Sequence, residues 1–345
     1  MRSDQWHLRT LASAEANRIT QGEGVTVAVP DTGVSPHPDL AGNLLRGINI
    51  LDEGSSDGQG DRNSHGTGMA GLIAAHGQGE TQGARGIAPK AKILPILSST
   101  VDNRSDPDDL GRAIEYAISS GASVISISSA GGSSLVLRDA IKSALTANVV
   151  VVAAAGNRPM DNQVGYPASV DGVLAVGGVD RDGNRAAVSV TGPEIDLVAP
   201  AVDIYSTSID GKYRKGTGTS DATAIVAGAA ALIRSKYPYL PAREVAHRLT
   251  ATAIDKGAPG RDDEYGYGVI DLVAALTADV PPLGFESVNA SAGPTTAGAQ
   301  PGDDEGGATA RGLVTLGVIL AAGVGWAVVA RRRRRGDDPP PRISR

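Results

Sequence analysis

The chain has 345 residues, with 45 glycines, 41% hydrophobic residues and only 3% aromatic residues. It contains no cysteine, which excludes a disulfide framework, a thiol nucleophile and cysteine-based metal centres. The formal net charge of −6 argues against a generic nucleic-acid-binding protein, and we expect no nucleic-acid partner.

Short β-branched runs alternate with helical patterns through the first 277 residues. Four runs are apolar on successive residues, as expected for strands buried on both faces: Val25–Val29, Ile93–Leu97, Val124–Ile127 and Val149–Ala153. One helix is predicted from Pro107, with Asp106 as its N-cap, and another over Leu135–Ala147. This alternation predicts an α/β fold with a parallel sheet, helices on both faces and ligands at the carboxyl ends of the strands.

Four positions along this pattern carry side chains capable of catalysis. Asp31 ends the first predicted strand, and His65 stands just before a helix of small residues. Asn157 follows the run Val149–Ala153, and Ser220 begins a buried helical pattern. Each residue alone has an ordinary structural explanation, as a turn residue, a surface or core histidine, or a helix cap.

Taken together, these residues and their order resemble the subtilisin-like serine proteases (subtilases). The resemblance covers about residues 20–275 and rests on the segments VAVPDTGV, SHGTGMAGLIA, VVVAAAGN and GTSDATAIVAG. It implies a serine endopeptidase in which Ser220 attacks the peptide carbonyl, His65 removes its proton and Asp31 orients the imidazole. It also implies that Asn157 and the Ser220 N–H bind the oxyanion.

The same resemblance implies how a substrate is bound. The segment Ser126–Gly132 corresponds to a strand that pairs with an extended peptide, so we expect Ser128, Ala130 and Gly131 to bind protein or peptide substrates. Such an enzyme requires no cofactor and no catalytic metal, and we expect none here. The sequence leaves structural calcium open.

The C-terminal part of the chain has a different composition. Residues 278–311 are rich in Pro, Gly and Ala and predict a linker. Gly312–Ala330 contains nineteen residues without a charge, and Arg331–Arg335 follow directly, which predicts one transmembrane helix. By the positive-inside rule, residues 331–345 form a basic cytoplasmic tail and the peptidase domain 1–277 lies outside the cell membrane.

The N-terminal residues do not supply the export signal that this topology needs. The first twenty residues lack the apolar core of a signal peptide, and we expect that a signal is missing from this sequence.

Both ends of the chain resemble those of the mycosins, the membrane-anchored subtilases of actinobacterial type VII secretion systems. The resemblance rests on Gln5–Leu8 ahead of the catalytic segments, the linker, the span and the basic tail. It implies an anchored endopeptidase that serves a type VII secretion membrane complex. Two alternatives stay open: a general cell-surface subtilase, or a mainly structural secretion subunit with weak protease activity.

Overall fold

The computed structural model describes residues 2–52, 56–79, 81–100 and 105–284. The predicted transmembrane helix, the basic tail and residues 285–311 of the predicted linker lie outside this part of the chain. Within the described residues, no helix combines the length and the apolar character needed to cross a bilayer.

Seven strands form one parallel sheet. They are β1 (Thr26–Asp31), β2 (Ile48–Asn49), β5 (Lys92–Leu97), β6 (Val124–Ile127), β7 (Val150–Ala154), β8 (Leu174–Val179) and β9 (Leu197–Pro200). The order across the sheet is β2–β5–β1–β6–β7–β8–β9. Two antiparallel pairs lie outside it, β3 (His76–Gln78) with β4 (Gln82–Arg85) and β10 (Ile204–Thr207) with β11 (Tyr213–Gly216).

Eight α-helices accompany the strands in the described residues. They are α1 (Trp6–Thr10), α2 (Ser13–Ile19), α3 (His65–Ala74), α4 (Pro107–Ser119), α5 (Leu135–Thr146), α6 (Thr219–Lys236), α7 (Ala242–Ala251) and α8 (Leu272–Thr277). Short 3₁₀ turns occur at Arg2–Asp4, Pro38–Leu40, Ile50–Asp52 and Ile209–Gly211.

The sheet is buried on both faces, as its continuous apolar strands predict. Val27 and Val29 of β1 belong to the hydrophobic cluster that also contains the buried residues of α3 and α6. Ala28, between them, belongs to a second cluster with the buried residues of α4 and α5. Successive side chains of a strand point to opposite faces, so each strand contributes to both clusters.

The predicted elements are confirmed with small changes at their ends. Pro107 begins α4, and the Asp106 side chain accepts a hydrogen bond from the Asp108 N–H at 2.8 Å. Strand β1 continues past the predicted run to Asp31, because its pairing with β5 extends to that residue. Pro30 is tolerated near the end of β1, where the pairing with β6 has already stopped at Ala28.

Candidate active site

Asp31 and His65 meet at the carboxyl end of β1. Asp31 is the last residue of β1 and is 3% exposed, and His65 is the first residue of α3. The imidazole Nδ1 lies 2.8 Å from Asp31 Oδ1 and 2.9 Å from Oδ2. A side chain at the next position would collide with the backbone, because a Cβ on Gly66 would lie 2.1 Å from Gly33 O. The glycine after His65 therefore allows the close approach of α3 to the end of β1.

The charge of Asp31 governs the protonation of His65. Burial disfavours the imidazolium, but the Asp31 carboxylate favours it through its charge and its hydrogen bond, and the pKa of His65 lies above its ordinary value. In the neutral imidazole, a proton held on Nδ1 by Asp31 leaves Nε2 as the basic nitrogen. This is the tautomer that a general base at Nε2 requires.

Asp61 organises the loop that leads into α3. Its buried carboxylate receives hydrogen bonds from both sides of the site, namely from Thr32 Oγ1 (2.9 Å), Asn63 N (2.8 Å), Ser64 N (3.0 Å), Thr67 N (3.0 Å) and Thr67 Oγ1 (2.5 Å). Thr32 Oγ1 in turn accepts from the Gly66 N–H at 3.1 Å. Asp61 therefore connects the residue after Asp31 with the first turn of the His65 helix.

Ser220 lies in the first turn of α6 but does not cap it. The N-cap is Gly218, Thr219 is the first helical residue and Ser220 is the second. Ser220 Oγ donates to Ser128 O at 2.9 Å, and Ser128 Oγ donates to Ser220 O at 3.2 Å. Within the described residues, Ser220 thus makes its side-chain hydrogen bond to the end of β6 and not to His65. The helix-cap explanation of Ser220 is wrong.

Asn157 reaches the same helix terminus from the end of β7. Its Oδ1 accepts from the Thr219 N–H at 2.9 Å and from Thr219 Oγ1 at 3.3 Å. A backbone N–H can only donate, so this contact fixes the amide with its oxygen toward α6 and leaves the Nδ2 group as a donor. The amide is oriented by the helix whose second residue is Ser220.

The three residues expected to bind substrate differ in their backbone bonding. Ser128 is buried, and its carbonyl oxygen already accepts from Ser220. The Gly131 N–H and C=O are both paired with Tyr166, at 3.0 and 3.1 Å. Ala130, between them, is half-buried. The substrate-binding roles of these residues stay a prediction.

A comparison of this chain with known protein families agrees with this geometry. Residues 22–268 match the model of the subtilase family. This chain is a member of the subtilase family. Its sequence is 39% identical to subtilisin DY from Bacillus licheniformis over 260 residues, which cover 74% of this chain and 92% of that protein. It is a subtilisin-type serine endopeptidase by homology, as the sequence predicts.

Solved structures of MycP1 are also similar to this subtilase. MycP1 with its N-terminal propeptide removed has a TM-score of 0.73 and 32% identity, over 80% of this chain and 98% of that one. A second MycP1 structure, described as a serine protease and an essential component of the type VII (ESX-1) secretion system, has a TM-score of 0.71 and 34% identity. That match covers 79% of this chain and 88% of the other. The predicted likeness to mycosins is confirmed.

The structure adds three residues that the sequence pattern did not single out: Asp61, Arg214 and Asp221. Asp61 precedes His65 by four residues in a polar loop. This position close to His65 was the feature of the sequence from which its role could have been suspected. The half-buried Arg214 and the buried Asp221 form an ion pair that depends on contact between β11 and α6. Among the described residues, no group of three or more His, Asp or Glu side chains is placed to hold a metal ion. The expectation that no cofactor is required stays a prediction.

Proposed function

We propose that this subtilase hydrolyses peptide bonds with Asp31, His65 and Ser220 as its catalytic triad. The observation that carries the proposal is the hydrogen bond of 2.8 Å between His65 Nδ1 and Asp31 Oδ1. It supports a His65 whose Nδ1 proton is held by Asp31, so that Nε2 is the nitrogen that takes a proton. Ser220 Oγ turns from Ser128 O toward Nε2, transfers its proton and attacks the substrate carbonyl carbon.

The oxyanion that forms is stabilised by two donors at the start of α6. One is Nδ2 of Asn157, whose oxygen is held by Thr219. The other is the backbone N–H of Ser220, since N–H groups in the first turn of a helix have no intrahelical acceptor. The positive end of the α6 dipole adds to this stabilisation. His65 then returns its proton to the leaving amine.

A fluorophosphonate probe tests the assignment of Ser220. The expected reaction forms a bond between Ser220 Oγ and phosphorus and expels fluoride, while the Oγ proton passes to His65. The purified full chain should be labelled, and Ser220→Ala should abolish labelling with little change in melting temperature. Ser133→Ala removes an exposed hydroxyl on the neighbouring loop and should label like the wild type. Labelling that persists in Ser220→Ala would show that another residue is the nucleophile.

We further propose that this peptidase is anchored in the cell membrane and serves a type VII secretion complex. The uncharged run Gly312–Ala330, followed by Arg331–Arg335, supports the anchor. The similarity to MycP1, described as an essential component of such a system, supports the partner. Protein or peptide segments that reach the outer face of the membrane are the proposed substrates.

Co-migration with the secretion complex tests the proposed partner. In membranes of the native cells, the full chain should run with the secretion complex on a native gel, and a variant lacking residues 312–345 should not. A full chain that runs alone would favour a general cell-surface subtilase. Co-migration of Ser220→Ala with normal secretion would instead favour a mainly structural subunit.

A further inference from the structure

A charge pair formed by a half-buried arginine and a buried aspartate lies between the helix that begins with His65 and the helix that carries Ser220. Arg214 of β11 places its Nη2 atom 3.7 Å from Oδ1 of Asp221. The two side chains are 21% and 2% exposed. Asp221 directly follows Ser220 in α6, so the pair is one residue away from the proposed nucleophile.

Two glycines provide the space that this pair occupies. Gly68 lies one turn after His65 in α3, and a Cβ there would be 2.4 Å from Arg214 Nη1. A Cβ on Gly216 would be 2.2 Å from Arg214 Nη2 and 2.6 Å from each Asp221 carboxylate oxygen. The guanidinium thus packs directly against the backbone of α3 while its other nitrogen faces α6. Arg214 is in contact with both helices of the proposed site.

The hydrogen bonding of the pair is incomplete, which argues against a purely stabilising role. Among the described residues, Arg214 Nη1 and Asp221 Oδ1 are buried and have no hydrogen-bond partner. Burial raises the pKa of Asp221, and the positive charge of Arg214 only partly offsets this effect. A buried ion pair of this kind is often no more stabilising than apolar residues of the same size.

Both charges act on His65. Three charged side chains influence the imidazole: Asp31 from β1, Asp221 from α6 and Arg214 from β11. Asp31 and Asp221 favour the imidazolium, and Arg214 disfavours it. Removal of one member of the pair therefore changes the net charge around His65. Removal of both members leaves this net charge nearly unchanged, because their opposite effects cancel.

We propose that Arg214 and Asp221 are positioning residues of the reaction, which set the spacing of α3 and α6 and the charge around His65. The inference rests on the proposed function, in which His65 is the base for Ser220. It assigns a role to the residue that follows the nucleophile and to an arginine that the triad mechanism does not use.

The pH dependence of fluorophosphonate labelling tests this role in the purified full chain. Asp221→Asn removes the negative charge that pairs with Arg214, so the pH of half-maximal labelling should fall by about half a unit or more. The plateau rate should also fall severalfold, because the imidazole becomes a weaker base. The double variant Arg214→Gln/Asp221→Asn removes both charges and should return the midpoint toward the wild-type value.

A merely structural role predicts a different result. It would lower the melting temperature and the labelled fraction without moving the midpoint, and an unchanged or raised midpoint in Asp221→Asn would overturn the proposal. Should that variant fail to fold, Arg214→Lys decides, because it keeps the charge but shortens the reach to Asp221. The midpoint should then hold while the plateau rate falls severalfold, and a wild-type rate would overturn the proposal. A wild-type chain that the fluorophosphonate probe does not label at all would instead refute Ser220 as the nucleophile.

Discussion

At the scale of single residues, hydrogen-bond direction separates alternative roles for the same side chain. Asn157 as a turn residue and Asn157 as an oxyanion donor differ in which end of the amide is occupied. Thr219 N–H takes the oxygen, and this leaves the NH₂ group as the donor. In the same way, Gly218 is the N-cap residue of α6, so the Ser220 hydroxyl does not serve as the cap of this helix.

The Asn157→Ala variant should lose catalysis and keep substrate binding. We expect kcat to fall by about 10²–10³, with little change in KM, because the amide–oxyanion hydrogen bond strengthens mainly in the transition state. Hydrolysis of a peptide substrate and a thermal melt measure the two effects. Asn184→Ala, at an exposed turn, is the matched control and should keep its kcat. A near-normal kcat in folded Asn157→Ala would return the residue to a turn-forming role.

At the scale of elements, the N-terminal helix α1 is held by hydrogen bonds to later segments of the same domain. Gln5 exchanges two hydrogen bonds with the backbone of Arg85, each of 2.9 Å. Trp6 Nε1 donates to Val202 O at 3.1 Å. His7 is fully buried, and neither of its ring nitrogens has a hydrogen-bond partner in the described part of the chain. Burial lowers the pKa of His7 from 6.5 to about 3, and the positive charge of Arg9 acts in the same direction.

This burial predicts that α1 makes the protein sensitive to acid. The unfolded chain takes up a proton on His7 below pH 6.5, and the folded chain does so only near pH 3. The contribution of the neutral His7 to the free energy of unfolding is therefore fully present above pH 6.5. It is lost as the pH drops toward 3, by on the order of 3–5 kcal/mol. Urea midpoints at pH 7 and pH 4 should differ less in His7→Leu than in the wild type. The carboxylates are common to both proteins, and an equal pH dependence would contradict this linkage.

At the scale of the whole molecule, the sheet brings distant segments to one edge. Asp31 is the last residue of β1, Ser128 follows β6 and Asn157 follows β7. These three parallel strands are neighbours in the sheet. The carboxyl ends of parallel strands share one edge, where ligands bind in open α/β sheets. Helices α3 and α6 lie on one face and supply His65 and Ser220 to that edge.

The proposed topology gives a prediction for the whole chain. Residues 312–330 lack charge, and five arginines follow at positions 331–335, which resist transfer across the membrane. With an export signal present, protease added to intact cells should digest residues 1–311 and spare a tag after Arg345. Deletion of residues 312–345 should release a soluble protein that the fluorophosphonate probe still labels. Digestion of the C-terminal tag in intact cells would contradict a single span with a cytoplasmic tail.

The sequence alone was sufficient for the strands β1, β5, β6 and β7, for the helices α4 and α5, and for the family, but it did not single out β2, β8 or β9 of the same sheet. Runs of apolar β-branched residues indicate a strand buried on both faces. Asp106 followed by Pro107 indicates the start of α4. Both patterns are readable because they depend on only a few neighbouring residues. The order of Asp31, His65, Asn157 and Ser220 was readable because the motifs around them are local stretches of chain.

Tertiary structure decided the contacts between those stretches. The hydrogen bond of Ser220 Oγ to Ser128 and that of Thr219 to the Asn157 amide join residues far apart in the chain. Arg214 and Asp221 are close in the chain, but their pairing depends on how strand β11 lies against the start of α6. A donor and an acceptor have no sequence signature of their mutual distance, since that distance follows from how helices pack on the sheet. The same is true of Gly68, whose missing side chain has meaning only because a guanidinium from β11 fills the space.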